Sequence, residues 1–334
     1  MDNITHTLTG LMLSRAGLNR LTPHATAVVL LAANAADIDV VAAFDGPVRY
    51  LQYHRGITHS LFAIPLLALL AVAVVRLAAR KPLPWLRAWL AAAIGAASNP
   101  LLDWTNVYGV KLLSPLSERW FRADLFHIVD VWIWAAFILA LAAPAISKLV
   151  SAEIGARPAA GRGAAIFALC FLALYGFTRY LLHDRAVAIL EARMYQNEAP
   201  RRVAALPTPV NPFRWVGLVE GGGFYQVNDG VNVLAEFDPA AGRVFYKPEP
   251  GPALEAARQT DAFRVFLAFS QYPLWRVTPV AEPENGKLVQ AFDLRFGAPP
   301  EERFAATALL DGELRVLRAS FAFGGRPGPT ASGR

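Results

Sequence analysis

Five apolar stretches in the first half of the chain predict a bundle of membrane helices. They approach the length of about 20 residues that crosses a bilayer, and they cover residues 24–44, 60–79, 88–102, 126–146 and 163–182. A shorter run with apolar residues at helical spacing predicts one more helix over residues 3–17. The pattern therefore predicts about five to six membrane helices.

Beyond residue 184 the pattern changes to that of a water-soluble domain. A charged helix over 184–195 and a proline-rich link over 200–212 precede alternating runs bounded by glycine. Strands are predicted over 215–220, 224–228, 231–237, 243–246, 274–280, 288–296, 304–310 and 314–323, with a helix over 252–269. We predict an all-α helical membrane bundle in residues 1–183, a smaller α+β domain with a mainly antiparallel sheet in 184–323, and a disordered tail over 324–334.

Composition and charge agree with a membrane protein. The chain is 55% hydrophobic and only 17% charged, which is more apolar than ordinary soluble domains. Its net charge of +6 comes from scattered Lys and Arg residues, so no nucleic-acid partner is expected. Basic turns at Arg15, Arg20 and residues 80–87 favour the cytoplasmic side. The expected partner is therefore a lipid bilayer that the chain crosses several times, with the C-terminal domain on the outer side.

Ionisable side chains lie at the outer ends of these apolar stretches, where they are costly unless they have a function. Under the predicted topology, side chains from four segments converge at one membrane face. The six candidate metal ligands are His6, Asp37, Asp39, His54, His59 and Asp103. Mixed imidazole and carboxylate ligation suits zinc first and manganese second, so a divalent metal is the expected cofactor.

Spacing alone leaves two of these pairs open. On a regular helix, His54 and His59 would point about 140° apart, so they share an ion only if Gly56 breaks the chain into a turn. Taken alone, this pair is better explained as two histidines at the membrane surface. Asp37 and Asp39 would point to nearly opposite sides of a helix. Either the helix frays there, or only one of them is a ligand. The alternative to a metal site is that both form interfacial ion pairs with Arg49 or Arg55, which would leave two carboxylates at depth with no gain in stability.

A further polar group follows on a later apolar stretch. Asn99, Asp103 and Asn106 share one helix face, which suits a site inside the bundle or a hydrogen-bond network between helices. Arg55 and Lys111 are candidates to hold an anionic substrate, or to anchor at lipid headgroups. We assign Asp39 and Arg55 as the candidate catalytic residues, and Asn99, Asn106 and Lys111 as candidate substrate-binding residues.

Short motifs in the apolar half carry a family resemblance. They are Asp-Ile-Asp at 37–39, His-Arg-Gly-Ile-Thr-His-Ser at 54–60, Leu-Asp-Trp-Thr-Asn-Val-Tyr-Gly at 102–109, Leu-Ser-Pro at 113–115, and Asp130. Residues 1 to about 180 thereby resemble the bacterial membrane-bound metal-dependent hydrolase family, which includes LexA-binding inner-membrane hydrolases. That family is more distantly similar to the zinc-dependent phospholipase C and P1 nuclease group, helical enzymes that hydrolyse phosphoesters.

The resemblance implies a metal site and also shows two departures from the family pattern. By it, His6, Asp37, His54, His59 and Asp103 are metal ligands, and Asp39 is a ligand or a base. Asn99 stands where family members usually have a histidine, and Ala36 stands where they have a proline. Asparagine is a poorer zinc ligand than imidazole, so one metal position is weakened.

These observations predict an integral-membrane, metal-dependent hydrolase of the bacterial inner membrane. Its expected substrate is a phosphoester, and the position of the site at the membrane interface also suits a lipid-linked one. The attacking group is a water whose pKa the metal lowers towards about 7. Two other classes stay open. An ion or proton transporter is disfavoured by the absence of inverted repeats, whereas a non-catalytic scaffold with a structural metal is made more credible by Asn99.

Overall fold

The computed structural model describes residues 1–80, 82–154, 161–301 and 303–324, which divide into two units. The first unit comprises Met1–Asp39, Arg55–Asp184 and Pro207–Phe213. The second comprises Val40–His54, Arg185–Leu206 and the described residues from Arg214 onward. Apart from its first residue, Gly324, the predicted disordered tail lies outside the described residues.

The N-terminal region is helical, as predicted. Its helices are α1 (Asn3–Ala16), α2 (Ala25–Asn34), α3 (Pro47–Tyr53), α4 (Ile64–Ala79), α5 (Trp85–Trp104), α6 (Val131–Ile154) and α7 (Arg162–Glu191). Asp2 caps α1, because its carboxylate accepts the backbone N–H groups of Ile4 and Thr5 at 3.0 Å each. Pro47 and Pro65 stand in the first turns of α3 and α4, where a missing N–H costs no hydrogen bond.

Fewer helices meet the length and hydropathy needed to cross a membrane than the sequence pattern predicts. Within the described residues, three segments do so: Ala25–Asp45, Val131–Val150 and Arg162–Glu191. A fourth crossing is added if the pair Pro47–His59 and Ile64–Ala79, bent by 88°, is one broken span. The described residues therefore contain three or four such segments, where the sequence pattern predicted about five to six membrane helices. Helix α1 has 14 residues, and the end of α5 contains the polar residues Ser98, Asn99 and Asp103.

Small side chains let α2, α4 and α5 approach one another closely in the first unit. Their shared core contains Val28, Ala32, Ala36, Leu67, Ala68, Ala71, Val72, Val75, Leu83, Ala88, Ala92 and Ala96. Gly95 of α5 faces α2 so closely that an added Cβ would lie 2.8 Å from the carbonyl oxygen of Val29. Small residues at helix interfaces are typical of membrane helices, where dispersion contacts hold helices together.

The outward faces of several helices in the first unit are apolar. Large exposed side chains on α4, α6 and α7 include Leu66, Leu69, Leu70, Leu77, Ile138, Leu139, Phe167, Leu174 and Phe177. An apolar surface of this extent would be costly in water. The hydrocarbon region of a bilayer is the environment that removes this cost.

The second unit contains two antiparallel sheets of four strands, each a meander in sequence order. The first sheet consists of β1 (Arg202–Pro207), β2 (Arg214–Glu220), β3 (Phe224–Asn232) and β4 (Arg243–Tyr246). Two helices follow, α8 (Pro252–Arg258) and α9 (Asp261–Phe269), and then the second sheet: β5 (Pro273–Pro279), β6 (Lys287–Asp293), β7 (Phe304–Leu310) and β8 (Val316–Phe323). The predicted fold class, a helical region followed by an α+β domain, is confirmed.

Three details of the second unit differ from the prediction. Strand β1 lies in the segment expected to be a proline-rich link, because residues 202–206 contain no proline. The strand expected over 231–237 is absent, since β3 continues through Val231 to Asn232 and then turns. The single helix expected over 252–269 is two helices, and the hydroxyl of Thr260 caps the second by accepting the N–H of Phe263.

Candidate metal centre

Histidine and aspartate side chains from distant parts of the sequence meet inside the first unit. His6 lies on α1, Asp37 on the 3-10 segment Ala35–Asp45, and Asp103 on α5. One ligand atom from each of these three lies within 4.8 Å of the others. His59, on the 3-10 segment Ile57–His59, is adjacent, since its Nε2 is 3.4 Å from Asp37 Oδ1 and 3.3 Å from Asp103 Oδ2. The imidazole of His59 thus contacts both carboxylates of this three-residue group.

The 3-10 conformation after α2 explains how Asp37 and Asp39 act together. In a 3-10 helix, with about three residues per turn, residues two apart point about 120° apart, instead of the about 160° of an α-helix. Both carboxylates consequently reach His59, one at each ring nitrogen: Asp37 Oδ1 at Nε2 and Asp39 Oδ2 at Nδ1, 3.2 Å away. The sequence left two alternatives, a frayed helix or a single ligand. The 3-10 conformation is the departure from a regular α-helix that brings both carboxylates to His59.

Asp39 lies on the far side of the His59 ring from the other carboxylates. Its Oδ2 accepts the backbone N–H of Arg55 at 2.8 Å and the hydroxyl of Thr58 at 3.3 Å, in addition to its contact with His59 Nδ1. A carboxylate at one nitrogen of a histidine fixes the ring so that the other nitrogen can bind a metal. The geometry therefore favours a positioning role for Asp39.

Arg55 is buried at the centre of the cluster and is engaged with protein acceptors. Its Nη2 lies 2.9 Å from Asp103 Oδ1, and its Nη1 donates to Asn106 Oδ1 at 3.0 Å. The guanidinium also lies over the ring of Tyr108, 4.8 Å from the centroid. The contacts of the guanidinium orient Asp103. The backbone of Arg55 has φ = 56°, in the left-handed region, so the turn predicted at Gly56 is made one residue earlier.

His54 is placed with the second unit, whereas the other predicted ligands belong to the first. It follows the end of α3, and its ring stacks on that of Tyr50 with centroids 4.5 Å apart. The structure thus brings together His6, Asp37, Asp39, His59 and Asp103, and does not show His54 among them. Its role as a ligand stays a prediction.

The three candidate substrate-binding residues have different surroundings. Asn99 is buried on α5 and donates from Nδ2 to Asp37 Oδ2 at 3.1 Å. Asn106, just beyond α5, accepts the N–H groups of Tyr108 and Gly109 and contacts Asp103. Lys111 is paired with Glu118 at 2.6 Å and lies over the ring of Trp120. The first two belong to the cluster, and the ammonium group of Lys111 is held by Glu118.

Burial and charge make this cluster suitable for a cation. The side chains of His6, His59 and Asp103 have no exposed surface, and Asp37 is 14% exposed. Among the described residues, the ring nitrogens of His6 and Oδ2 of Asp103 make no hydrogen bond of good geometry, although His6 Nε2 is 3.4 Å from Asp103 Oδ1 and His59 Nε2 is 3.3 Å from Asp103 Oδ2. Three carboxylates face two cationic groups, Arg55 and the amino group of Met1, which contacts Asp103. A divalent cation would satisfy these buried acceptors and the excess negative charge, so the donor set fits a metal.

Three contributors to the cluster were not selected from the sequence. Thr58 contacts both Asp39 and His59, Tyr108 lies beneath Arg55, and the carbonyl of Met1 accepts from Arg55 at 3.2 Å. Thr58 and Tyr108 lie within the motifs at 54–60 and 102–109, so motif membership was the available signal. Nothing in the local pattern around Met1 indicated its position.

Comparison with known proteins identifies relatives of both parts of the chain. The family model described as YdjM inner membrane protein matches residues 1–186. A second model, described as the YfhP C-terminal alpha/beta plait domain, matches residues 252–323. The chain is also similar to the uncharacterized protein YfhP of Bacillus subtilis (strain 168), with 25% identity over 336 residues covering 96% of this chain and 94% of the relative. No solved structure matches the chain.

Proposed function

Since this chain belongs to the YdjM inner membrane protein family, we propose that it is a metal-dependent hydrolase of that membrane which cleaves a phosphoester. The observation that supports the proposal is the buried group of His6, Asp37 and Asp103, whose ligand atoms lie within 4.8 Å of one another. Its supporting residues, Asp39 and Arg55, contact the same cluster. Burying ionisable groups in a membrane protein is costly, so their presence supports the hypothesis of a functional site.

Each residue of the cluster has a separate task in this proposal. His6, His59, Asp37 and Asp103 would hold a divalent cation, which would acidify a water and polarise the phosphoester. Asp39 keeps the ring of His59 in one orientation through Nδ1. Arg55 holds Asp103 and contributes positive charge beside the position of an anionic substrate. Asp37 is the most exposed of the four ligands, so we place substrate access on its side.

A structural metal site is the second candidate, and the burial of the cluster favours it. Structural zinc sites are closed, whereas catalytic sites keep one position open to water or substrate. Three of the four ligands have no exposed surface. In this alternative the ion would link α1, α5 and the two 3-10 segments without catalysing a reaction.

Metal content of the full chain purified in detergent tests the site. The wild type is expected to retain at least one divalent ion by elemental analysis, and His59→Ala should lose it, because the ring contacts both Asp37 and Asp103. His24→Asn is the matched control, since His24 is an exposed histidine in the same unit and asparagine tolerates its positive φ of 58°. Equal metal content in all three proteins would exclude this cluster as the site.

Activity then separates the two candidates. The hydrolase should cleave a nucleotide or phospholipid phosphodiester in a reaction that stops with a chelator and resumes when the metal is restored. A protein that holds its metal yet turns over neither class of phosphodiester would support the structural alternative and exclude the enzyme.

We also propose that the chain crosses the inner membrane several times, with the second unit on the outer side. Arg15 lies in the last turn of α1 and Arg20 follows that helix, and Arg80 and Arg87 flank the connection between α4 and α5. Positive residues are enriched on the cytoplasmic side of membrane proteins. The opposite ends of these helices, which carry the site residues, would then face outwards.

A further inference from the structure

The side-chain amide of Asn99 has a fixed orientation beside the cluster. Asn99 has no exposed surface, and its Nδ2 donates to the carbonyl of Ala33 at 3.0 Å and to Asp37 Oδ2 at 3.1 Å. Both partners are acceptors, so both contacts require the nitrogen. The alternative flip of the amide, which is often undecided, is therefore excluded by the contacts.

The oxygen of this amide has no hydrogen-bond partner. Oδ1 of Asn99 is buried, and none of the described residues donates to it. Leaving such an acceptor buried and unsatisfied is unfavourable, because it has lost its hydrogen bonds to water and gained none in return. It lies next to one ligand, Asp37, and four residues before another, Asp103, on the same face of α5. A buried acceptor that lacks a donor and belongs to a residue bonded to a candidate ligand suits a cation.

We propose that Asn99 is a specificity-determining residue of the metal centre, whose amide oxygen shifts its preference from zinc towards manganese. The inference rests on the proposed metal site. His6 and His59 offer two nitrogens, and Asp37 and Asp103 offer two oxygens. With the amide oxygen of Asn99, the oxygen donors outnumber the nitrogen donors. Oxygen donors suit manganese, whereas nitrogen-rich sets suit zinc.

The test compares two substitutions of opposite chemistry in the full chain purified in detergent. Asn99→His replaces the oxygen with a nitrogen, and Asn99→Asp keeps an oxygen at the same distance along the side chain. Zn²⁺ and Mn²⁺ are titrated in competition against metal-free protein, with bound metal counted by elemental analysis and manganese followed by electron paramagnetic resonance. The measured quantity is the ratio of zinc affinity to manganese affinity.

We expect the ratio to rise in Asn99→His and not to rise in Asn99→Asp. It should rise about tenfold in Asn99→His and fall or stay constant in Asn99→Asp, a size typical of changes around metal ligands. Asn34→Leu is the control, because the amide of Asn34 is already bonded to Thr7 and to the carbonyl of Leu30. Its ratio should equal that of the wild type.

Two results would overturn the inference, and they differ from failure of the proposed function. If the ratio is unchanged in both Asn99 variants, or moves the same way in both, Asn99 only holds Asp37 in place. Asn99→Leu removes the amide oxygen and supplies no other metal-binding atom. It should weaken manganese binding more than zinc binding, and equal weakening of both would also count against the inference. If the wild type binds neither metal, the metal site itself is absent.

Discussion

Asp39 shows how a residue's neighbours decide its role. Its Oδ2 faces the backbone N–H of Arg55, the hydroxyl of Thr58 and Nδ1 of His59. A metal ligand normally offers its oxygen to the ion, whereas this oxygen is used by three protein groups. Asp37, two residues earlier, faces Nε2 of the same ring. The two aspartates, equivalent in the sequence motif, therefore have different tasks.

Replacing Asp39 by asparagine should weaken metal binding without abolishing it. The amide keeps the shape of the side chain but loses the charge that stabilises and orients His59. We expect the affinity to fall by about 10–100-fold, the usual effect of losing a carboxylate partner of a ligating histidine. Calorimetric titration of the metal into the full chain measures the change, with Asp45→Asn, an exposed aspartate of the same 3-10 segment, as the control. A loss as complete as in His59→Ala would instead make Asp39 a ligand.

At the scale of elements, the approach of α2 to α5 decides where the candidate ligands Asp37 and Asp103 lie. Helix α2 leads directly into the 3-10 segment that carries Asp37, and α5 carries Asn99 and Asp103. Gly95 permits this approach, since any Cβ there would meet the carbonyl oxygen of Val29 at 2.8 Å. The backbone carbonyl cannot give way as a flexible side chain would. The distance between α2 and α5 thus depends on Gly95, a residue without a side-chain functional group.

Gly95→Ala should therefore lower both stability and metal affinity. The added methyl forces α2 and α5 apart, an overpacking effect of about 1–3 kcal/mol, and it moves Asp103 relative to Asp37. Gly163→Ala is the matched control, because Gly163 of α7 has no atom within 4 Å of its added Cβ and alanine favours helix by about 1 kcal/mol. Thermal unfolding in detergent should show a lower midpoint for Gly95→Ala and no decrease for Gly163→Ala. Equal midpoints would contradict the close contact.

At the scale of the whole molecule, the chain alternates between its two units. It leaves the first unit after Asp39 and returns at Arg55, and the residues between, Val40–His54, belong to the second unit. Helix α3 in this segment contacts α9 and β8, and Tyr50 meets Phe323 with centroids 5.4 Å apart. The sequence predicted a single boundary near residue 184 and did not place Val40–His54 in the second unit. Local composition does not report contacts between residues about 270 positions apart, such as Tyr50 and Phe323.

The proposed topology gives a prediction for the complete chain. An alkaline phosphatase, which is active only outside the cytoplasm, should be active when fused after the C-terminal residue. The same enzyme inserted in the basic connection between α4 and α5 should be inactive, because Arg80 and Arg87 favour the cytoplasmic side. A C-terminal fusion that is inactive but fully expressed would reverse the proposed orientation.

The amino-acid sequence by itself determined the helices, most strands and the residue types of the site. Apolar runs and alternating patterns specify elements because hydrogen bonding and burial within an element depend on neighbours a few residues away. Only the tertiary structure decided that Asp37 and Asp39 contact opposite nitrogens of His59, that Arg55 is bound to Asp103, and that the oxygen of Asn99 has no partner. These facts depend on the packing of segments up to about a hundred residues apart. The local pattern that builds each segment does not specify how the segments meet.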